Sequence, residues 1–160
     1  DSGNVGATNV ARVIGIKAGI FTLAVDILKG WISLFVAGIV ANTPFFLVLA
    51  AISTVAGHCF SIPGKLKGGK GVATSLGVFI YLCPTAASIG CLVFGVLFAI
   101  FRYVSLASVA AALTAPLYGL LGGATETVNT ALVCISLLVV VRHKDNLLRL
   151  SAGREPKFGR

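Results

Sequence analysis

The residues able to do chemistry gather in a few short strings. The densest runs from 64 to 74, where Lys65, Lys67 and Lys70 are interspersed with Gly64, Gly68, Gly69 and Gly71. A glycine-rich loop that carries lysines and opens a helix presents backbone amides beside point charges, which is the chemistry of a phosphate cradle. Gly64, Gly69 and Lys70 nearly fit the G-x-x-x-x-G-K nucleotide loop. Gly71, however, stands where a Mg²⁺-binding hydroxyl is required, and no strand precedes it. The string predicts phosphate binding without nucleotide or metal. A second string, 2–12, mixes Ser2, Asn4, Thr8 and Asn9 with Gly3, Gly6 and Arg12 ahead of an apolar run. It reads either as an anion site at a helix N-terminus or as a helix cap followed by a basic anchor. A third, 142–155, places His143, Asn146 and Arg149 at three-residue spacing, one face of a helix. Its other reading is a basic tail attracted to anionic lipid. Ser105 and Ser108 begin a further apolar run, where hydrogen bonding between helices is the ordinary expectation. His58 is expected to be a hydrogen-bonded loop histidine. The chain holds two histidines with few carboxylates near them, and Cys59, Cys83, Cys91 and Cys134 form no CxxC pair. A metal site, a disulfide scaffold and a Ser/His/Asp triad are therefore not expected.

The elements that must position these groups are set by composition. Of 160 residues, 57% are hydrophobic and 11% charged, with mean hydropathy +0.99. Soluble domains carry about 25% charged residues, and disorder needs low hydrophobicity, so both classes are excluded. The chain reads as a single membrane domain, 1–160. Apolar stretches at 13–40, 44–59, 72–83, 85–101, 104–121 and 127–141 lack period-2 alternation, which predicts an all-α helical bundle rather than a barrel. The 72–83 stretch is short and ends at Pro84. Connections alternate in charge: Arg12 and Lys17, then none at 42–44, then Lys65 to Lys70, then none at 84–85, then Arg102, then only Glu126, then the basic tail. If each stretch crosses once, every basic connection falls on one face, cytoplasmic by the positive-inside rule. Six crossings with both ends inside follow. Asp26 and Lys29, inside the first stretch, share a helix face and read as a structural ion pair.

Four strings in order resemble those of the bacterial membrane glycerol-3-phosphate acyltransferases that use acyl phosphate, the PlsY family: SGNVGATNVAR at 2–12, GHCFSIPGKLKGGKGVAT at 57–74, RYVSLAS at 102–108 and RHKDNLLRLSAGRE at 142–155. The resemblance covers essentially the whole chain. Lys144 stands where the family usually has Arg, and 61–64 is more polar than usual. The family is implied to have seven spans. Six are counted here, and the family's first span would lie upstream of Ser2.

The resemblance implies the reaction acyl phosphate plus sn-glycerol 3-phosphate giving lysophosphatidic acid and inorganic phosphate, on the cytoplasmic face of the bacterial inner membrane, with no cofactor. It implies that Gly68, Gly69, Gly71 and Lys70 bind phosphate, with Thr74 at the following helix start. Ser2, Asn4, Thr8, Asn9 and Arg12 frame the opposite wall. His143 and Asn146 orient the acceptor, Ser105 adds a hydrogen bond, and Glu155, Asp26 and Lys29 are structural. The partners implied are the two substrates and the bilayer, not nucleic acid. A rival reading is an organic-anion transporter. Transporter sites lie near the bilayer midplane, whereas these clusters crowd one face.

Overall fold

The computed structural model of the chain describes residues 5–41, 43–60 and 68–159. Among these, every regular element is helical: α1 (Ala7–Val13), α2 (Ile16–Val40), α3 (Pro44–Cys59), α4 (Val72–Leu82), α5 (Pro84–Phe101), α6 (Val104–Tyr118) running into a π turn (Gly119–Gly123), α7 (Glu126–Arg142) and α8 (Lys144–Ser151). The six apolar stretches correspond to α2 through α7.

Local chemistry sets the boundaries. The first stretch is not one helix from 13. Gly15, at φ 126°, breaks it in a conformation closed to other residues, and α1 folds back along α2. Thr43 caps α3 by accepting from the Phe46 N–H, with Pro44 in the first turn, where a missing N–H costs nothing. Pro84 ends α4 and starts α5, because it forces Cys83 out of helical geometry.

Among the described residues, three helices are long and apolar enough to cross a bilayer alone: α2, α5 and α6 with its π turn, at 25, 18 and 20 residues. The 72–83 stretch is the departure. With 11 residues, α4 rises about 16 Å, roughly half of a ~30 Å hydrocarbon core. Non-helical backbone beside so short a span is tolerated in a membrane only where protein covers it. Accordingly Gly68, Gly69 and Gly71, just before α4, are buried.

The core forms around α4, from Leu34 of α2, Val55 of α3, Val78 and Phe79 of α4, and Leu132 and Ile135 of α7. The α2–α4 contact is the tightest. A Cβ on Gly30 would lie 2.3 Å from the Thr74 carbonyl oxygen, and one on Gly77 would lie 2.0 Å from that of Ile27. Backbone therefore meets backbone, the packing that helices adopt when apolar side chains gain little by leaving lipid. Large apolar residues such as Phe21, Ile39, Phe45, Leu92 and Ile100 face outward, which suits a lipid solvent.

Gly77→Val is expected to destabilise the protein by about 1–3 kcal/mol or more through overpacking against α2. Gly95→Ala, whose new Cβ meets nothing within 4 Å, should leave it unchanged or slightly firmer. Thermal unfolding in detergent distinguishes the two.

Candidate active site

A cavity of about 480 Å³ lies between α1, α2, α4, α5, α6 and the α7–α8 corner. Its character changes along its length. One end is lined by Thr8, Asn9, Arg12, Lys70, Ser105, His143, Asn146 and Glu155. The rest is mostly an apolar groove between α2 and α5, with Ile20, Leu23, Phe79, Ala87, Phe94 and Phe98 on its walls, and Asp26, His58, Ser75 and Ser108 add polar groups to the lining.

The polar end is assembled by three chain features. The α7 helix stops at Arg142, and His143 turns the chain into α8, so His143 and Asn146 share one inward face and are 2% and 8% exposed. The tail beyond α8 brings Glu155 back beneath that face. The loop before α4 presents Lys70 from the opposite direction.

Asn146 joins the two. Its Oδ1 accepts from Lys70 Nζ at 2.6 Å, and its Nδ2 donates to Glu155 Oε1 at 2.7 Å. Glu155 also accepts from Ser105 Oγ at 2.7 Å and from Arg149 Nε at 2.9 Å. Burial pushes the Glu155 carboxyl up, but the hydrogen bonds from Asn146, Ser105 and Arg149 outweigh it and hold the group below the usual carboxylate range. Burial lowers the Lys70 ammonium from its ordinary value, and Glu155 only partly opposes this.

Burial also pushes the His143 imidazole down to about 4, against the raising effect of the Val139 carbonyl, with Lys70 lowering it further. His143 is then neutral near pH 7. Its Nδ1 lies 2.8 Å from the Val139 carbonyl oxygen, so the proton belongs on Nδ1 and the lone pair on Nε2.

Several expected positions are brought together. Lys70, Gly71, Thr8, Asn9, Arg12, Ser105, His143 and Asn146 all line the one cavity. Ser2 and Asn4 lie outside the described residues. The Asp26–Lys29 pair is present at 2.5 Å, and His58 joins it, with Lys29 Nζ 2.6 Å from His58 Nδ1.

Others are placed differently. Gly68 and Gly69 do not line the cavity. The Gly69 N–H donates to the His58 carbonyl at 3.1 Å, and the carbonyls of Gly68 and Gly69 accept from the Arg142 guanidinium at 3.1 and 3.2 Å. The Gly69 amide is therefore turned away from the anion cradle expected of Gly68 and Gly69. Their lack of a side chain serves close packing instead. Thr74 is also off the wall: it is fully buried beneath Gly30, and its Oγ1 has no hydrogen-bond partner among the described residues. One residue further round the helix, Ser75 does line the cavity, 3% exposed, with an Oγ equally without a partner among the described residues.

Sequence reasoning did not single out Ser75 or Arg142 as site residues. A serine after Thr74 was a visible signal. A guanidinium bound to backbone carbonyls left none. Ser105, expected either to bond between helices or to add a hydrogen bond to substrate, lines the cavity and donates to the tail carboxylate Glu155.

The arrangement suits an amphipathic anion. Lys70 and Arg12 attract negative charge, the Asn146 and His143 side chains offer polar contacts, and the groove takes an alkyl chain. Comparison with known proteins agrees. The family model described as glycerol-3-phosphate acyltransferase matches residues 1–153. The glycerol-3-phosphate acyltransferase of Endomicrobium trichonymphae is 44% identical over 98% of this chain and 79% of its own length, and that of Aquifex aeolicus is 40% identical over 98% and 82%. The crystal structure of PlsY, an integral membrane glycerol 3-phosphate acyltransferase, in its glycerol 3-phosphate form superposes with a TM-score of 0.92. It is 39% identical and covers 99% of this chain and 80% of that one. Its lysophosphatidic acid form gives 0.90 over 99% and 81%. On sequence and fold alike, the chain belongs to the glycerol-3-phosphate acyltransferase family, as an all-helical, multi-pass membrane enzyme.

Proposed function

We propose that acyl phosphate is the donor for this glycerol-3-phosphate acyltransferase, and that acyl transfer to sn-glycerol 3-phosphate releases inorganic phosphate at the cytoplasmic face of the bacterial inner membrane. The observation that carries the reading is the junction of a cationic polar end with an apolar groove in one cavity. Such a junction seats a long-chain acyl group in the groove and its phosphate at Lys70. Among the described residues Lys70 makes one hydrogen bond, to Asn146, which leaves two of its three donors for phosphate oxygens. Arg12 approaches from α1 and supplies a planar guanidinium for the second anionic head.

The acceptor hydroxyl oxygen attacks the acyl carbonyl carbon, the carbon–oxygen bond to phosphate breaks, and its electron pair leaves with the phosphate. Positive charge at Lys70 stabilises that departure. An acyl phosphate is already activated, so no protein nucleophile is needed. The hydroxyl proton goes to the acceptor's own phosphate. A phosphate monoester, with a second pKa of about 6, is a stronger base than an imidazole held at about 4. Glu155 is committed to three donors. His143 Nε2 is left to accept from the hydroxyl and orient it.

The cytoplasmic placement is supported by the gathering of basic connections. The chain after α8 exchanges hydrogen bonds with Arg102 and accepts from Arg12, while Arg142 holds the loop before α4. The transporter reading loses its footing in Asp26 and Lys29, which are bound to each other and to His58.

Purified protein should release phosphate from a long-chain acyl phosphate only when glycerol 3-phosphate is present. Equal turnover with acyl-CoA or acyl-carrier protein would overturn the donor assignment. Lys70→Ala should lose about 100-fold or more in kcat/KM, the usual cost of one preorganised electrostatic contact. His143→Gln should stay within about tenfold, because an amide can still orient a hydroxyl.

The same histidine gives a pH signature. Its folded value lies below its unfolded one, so its contribution to stability is present above about pH 6.5 and is lost as pH falls toward 4. Melting curves of the wild-type protein should fall over that window, and those of His143→Gln should fall less. Finally, with Cys91 and Cys134 replaced, a cysteine at exposed Ser151 should react with an impermeant thiol reagent in inverted membrane vesicles and not in intact cells.

A further inference from the structure

The Asp26–Lys29–His58 cluster has no task in the chemistry above, yet it places charges near the middle of a membrane helix, where they are costly. Its geometry runs in one direction. Asp26 Oδ1 accepts from Lys29 Nζ at 2.5 Å, and the same ammonium lies 2.6 Å from His58 Nδ1. A protonated Lys29 makes Nδ1 the acceptor, so the His58 proton sits on Nε2 and the ring is fixed in tautomer and orientation.

That ring occupies the space where Gly69 would carry a side chain: a Cβ there would be 1.9 Å from His58 Nε2. The His58 backbone carbonyl accepts the Gly69 N–H, and a Cβ on Gly68 would lie 2.2 Å from the Cys59 carbonyl oxygen. On the other side Arg142 holds the carbonyls of Gly68 and Gly69 and lies over the Phe60 ring. The two glycines directly before Lys70 are therefore clamped between a pinned imidazole and a guanidinium.

We propose that Asp26, Lys29 and His58 are positioning residues for phosphate binding: by fixing the His58 ring against Gly69 they set the register in which Lys70 enters the cavity. The inference rests on the reading that Lys70 binds substrate phosphate. It explains why Lys29, whose side chain is 41% exposed, still leans inward to His58. It also accounts for the glycines at 68 and 69 without an amide cradle.

The test uses the full-length chain, a long-chain acyl phosphate and glycerol 3-phosphate, with KM for each, kcat and melting temperature measured together. His58→Gln is one variant. The charge-neutral pair Asp26→Asn with Lys29→Met is the second, chosen because it leaves no orphaned charge to unfold the protein. Each should raise one phosphate-substrate KM about tenfold with a much smaller change in kcat, the mark of lost binding geometry. In a Lys70→Ala background the same changes should add almost nothing, since the effect passes through Lys70. Gly69→Ala should copy the KM defect. Variants that fold and keep wild-type KM would overturn the proposal, as would full additivity with Lys70→Ala. If Lys70→Ala itself leaves both KM values and kcat unchanged, the phosphate reading fails first, and that outcome is separate from the other two.

Discussion

The side-chain amide of Asn146 is the contact on which the site depends. It accepts from a half-buried ammonium with one atom and donates to a buried carboxylate with the other, at 2.6 and 2.7 Å. A direct Lys70–Glu155 bridge would neutralise both groups and leave little field for a ligand. An amide between them satisfies each while keeping the positive head turned toward the cavity. Arg149 and Ser105 then complete the carboxylate, so the negative charge is absorbed locally and the cationic one is available. Leaving a buried polar atom unpaired costs about 1–3 kcal/mol, which is why the amide, the serine and the arginine must arrive together. The tail residue Glu155, the α8 residue Asn146 and the loop residue Lys70 are thereby locked into one unit.

The membrane sets the second constraint. An irregular loop beside a membrane span needs cover from helices, and the loop before the 11-residue α4 has it at Gly68, Gly69 and Gly71. The covering is achieved by thinning side chains where backbones meet. Gly30 and Gly77 let α2 touch α4, while Gly68 and Gly69 let the loop lie against the end of α3. The same economy leaves α2 and α5 apart on the other side of α4, and the groove between them is the space that close packing did not use. Polar head and apolar groove are thus two consequences of one short helix set among longer ones.

Much of this was legible in the sequence. Apolar run lengths marked six helices, Pro84 marked the break, and the polar strings marked the residues that converge. What failed was direction. The pattern around Gly68–Lys70 reads as amides facing a phosphate, but the amide of Gly69 faces His58 and the carbonyls face Arg142, because backbone orientation in a loop has no period to read. Thr74 was favoured over Ser75 by resemblance alone. Successive helical residues differ by about 100° around the axis, and that angle puts one hydroxyl under Gly30 and the other on the cavity wall. His58 was read as a loop histidine, whereas it belongs to the last turn of α3 and completes a pair that sequence spacing had already joined. Local pairs three residues apart are visible in a chain. Their third partner, 29 residues further on, is supplied by packing.

The distribution of charge along the cavity also bears on the order of events. On the proposed reading, an alkyl chain reaches the groove between α2 and α5 from the hydrocarbon. On the same reading, a small anion reaches the polar end from water, past Arg12 and the tail at residues 156–158 that contacts both Arg12 and Arg102. Lys70 lies where the two routes meet, and its lowered proton affinity makes it a group whose charge is stabilised by what binds. An incoming phosphate raises that affinity by the same free energy with which the charged lysine favours the phosphate. On the proposed reading, departure of phosphate removes that partner, and the ammonium is left with the Asn146 amide.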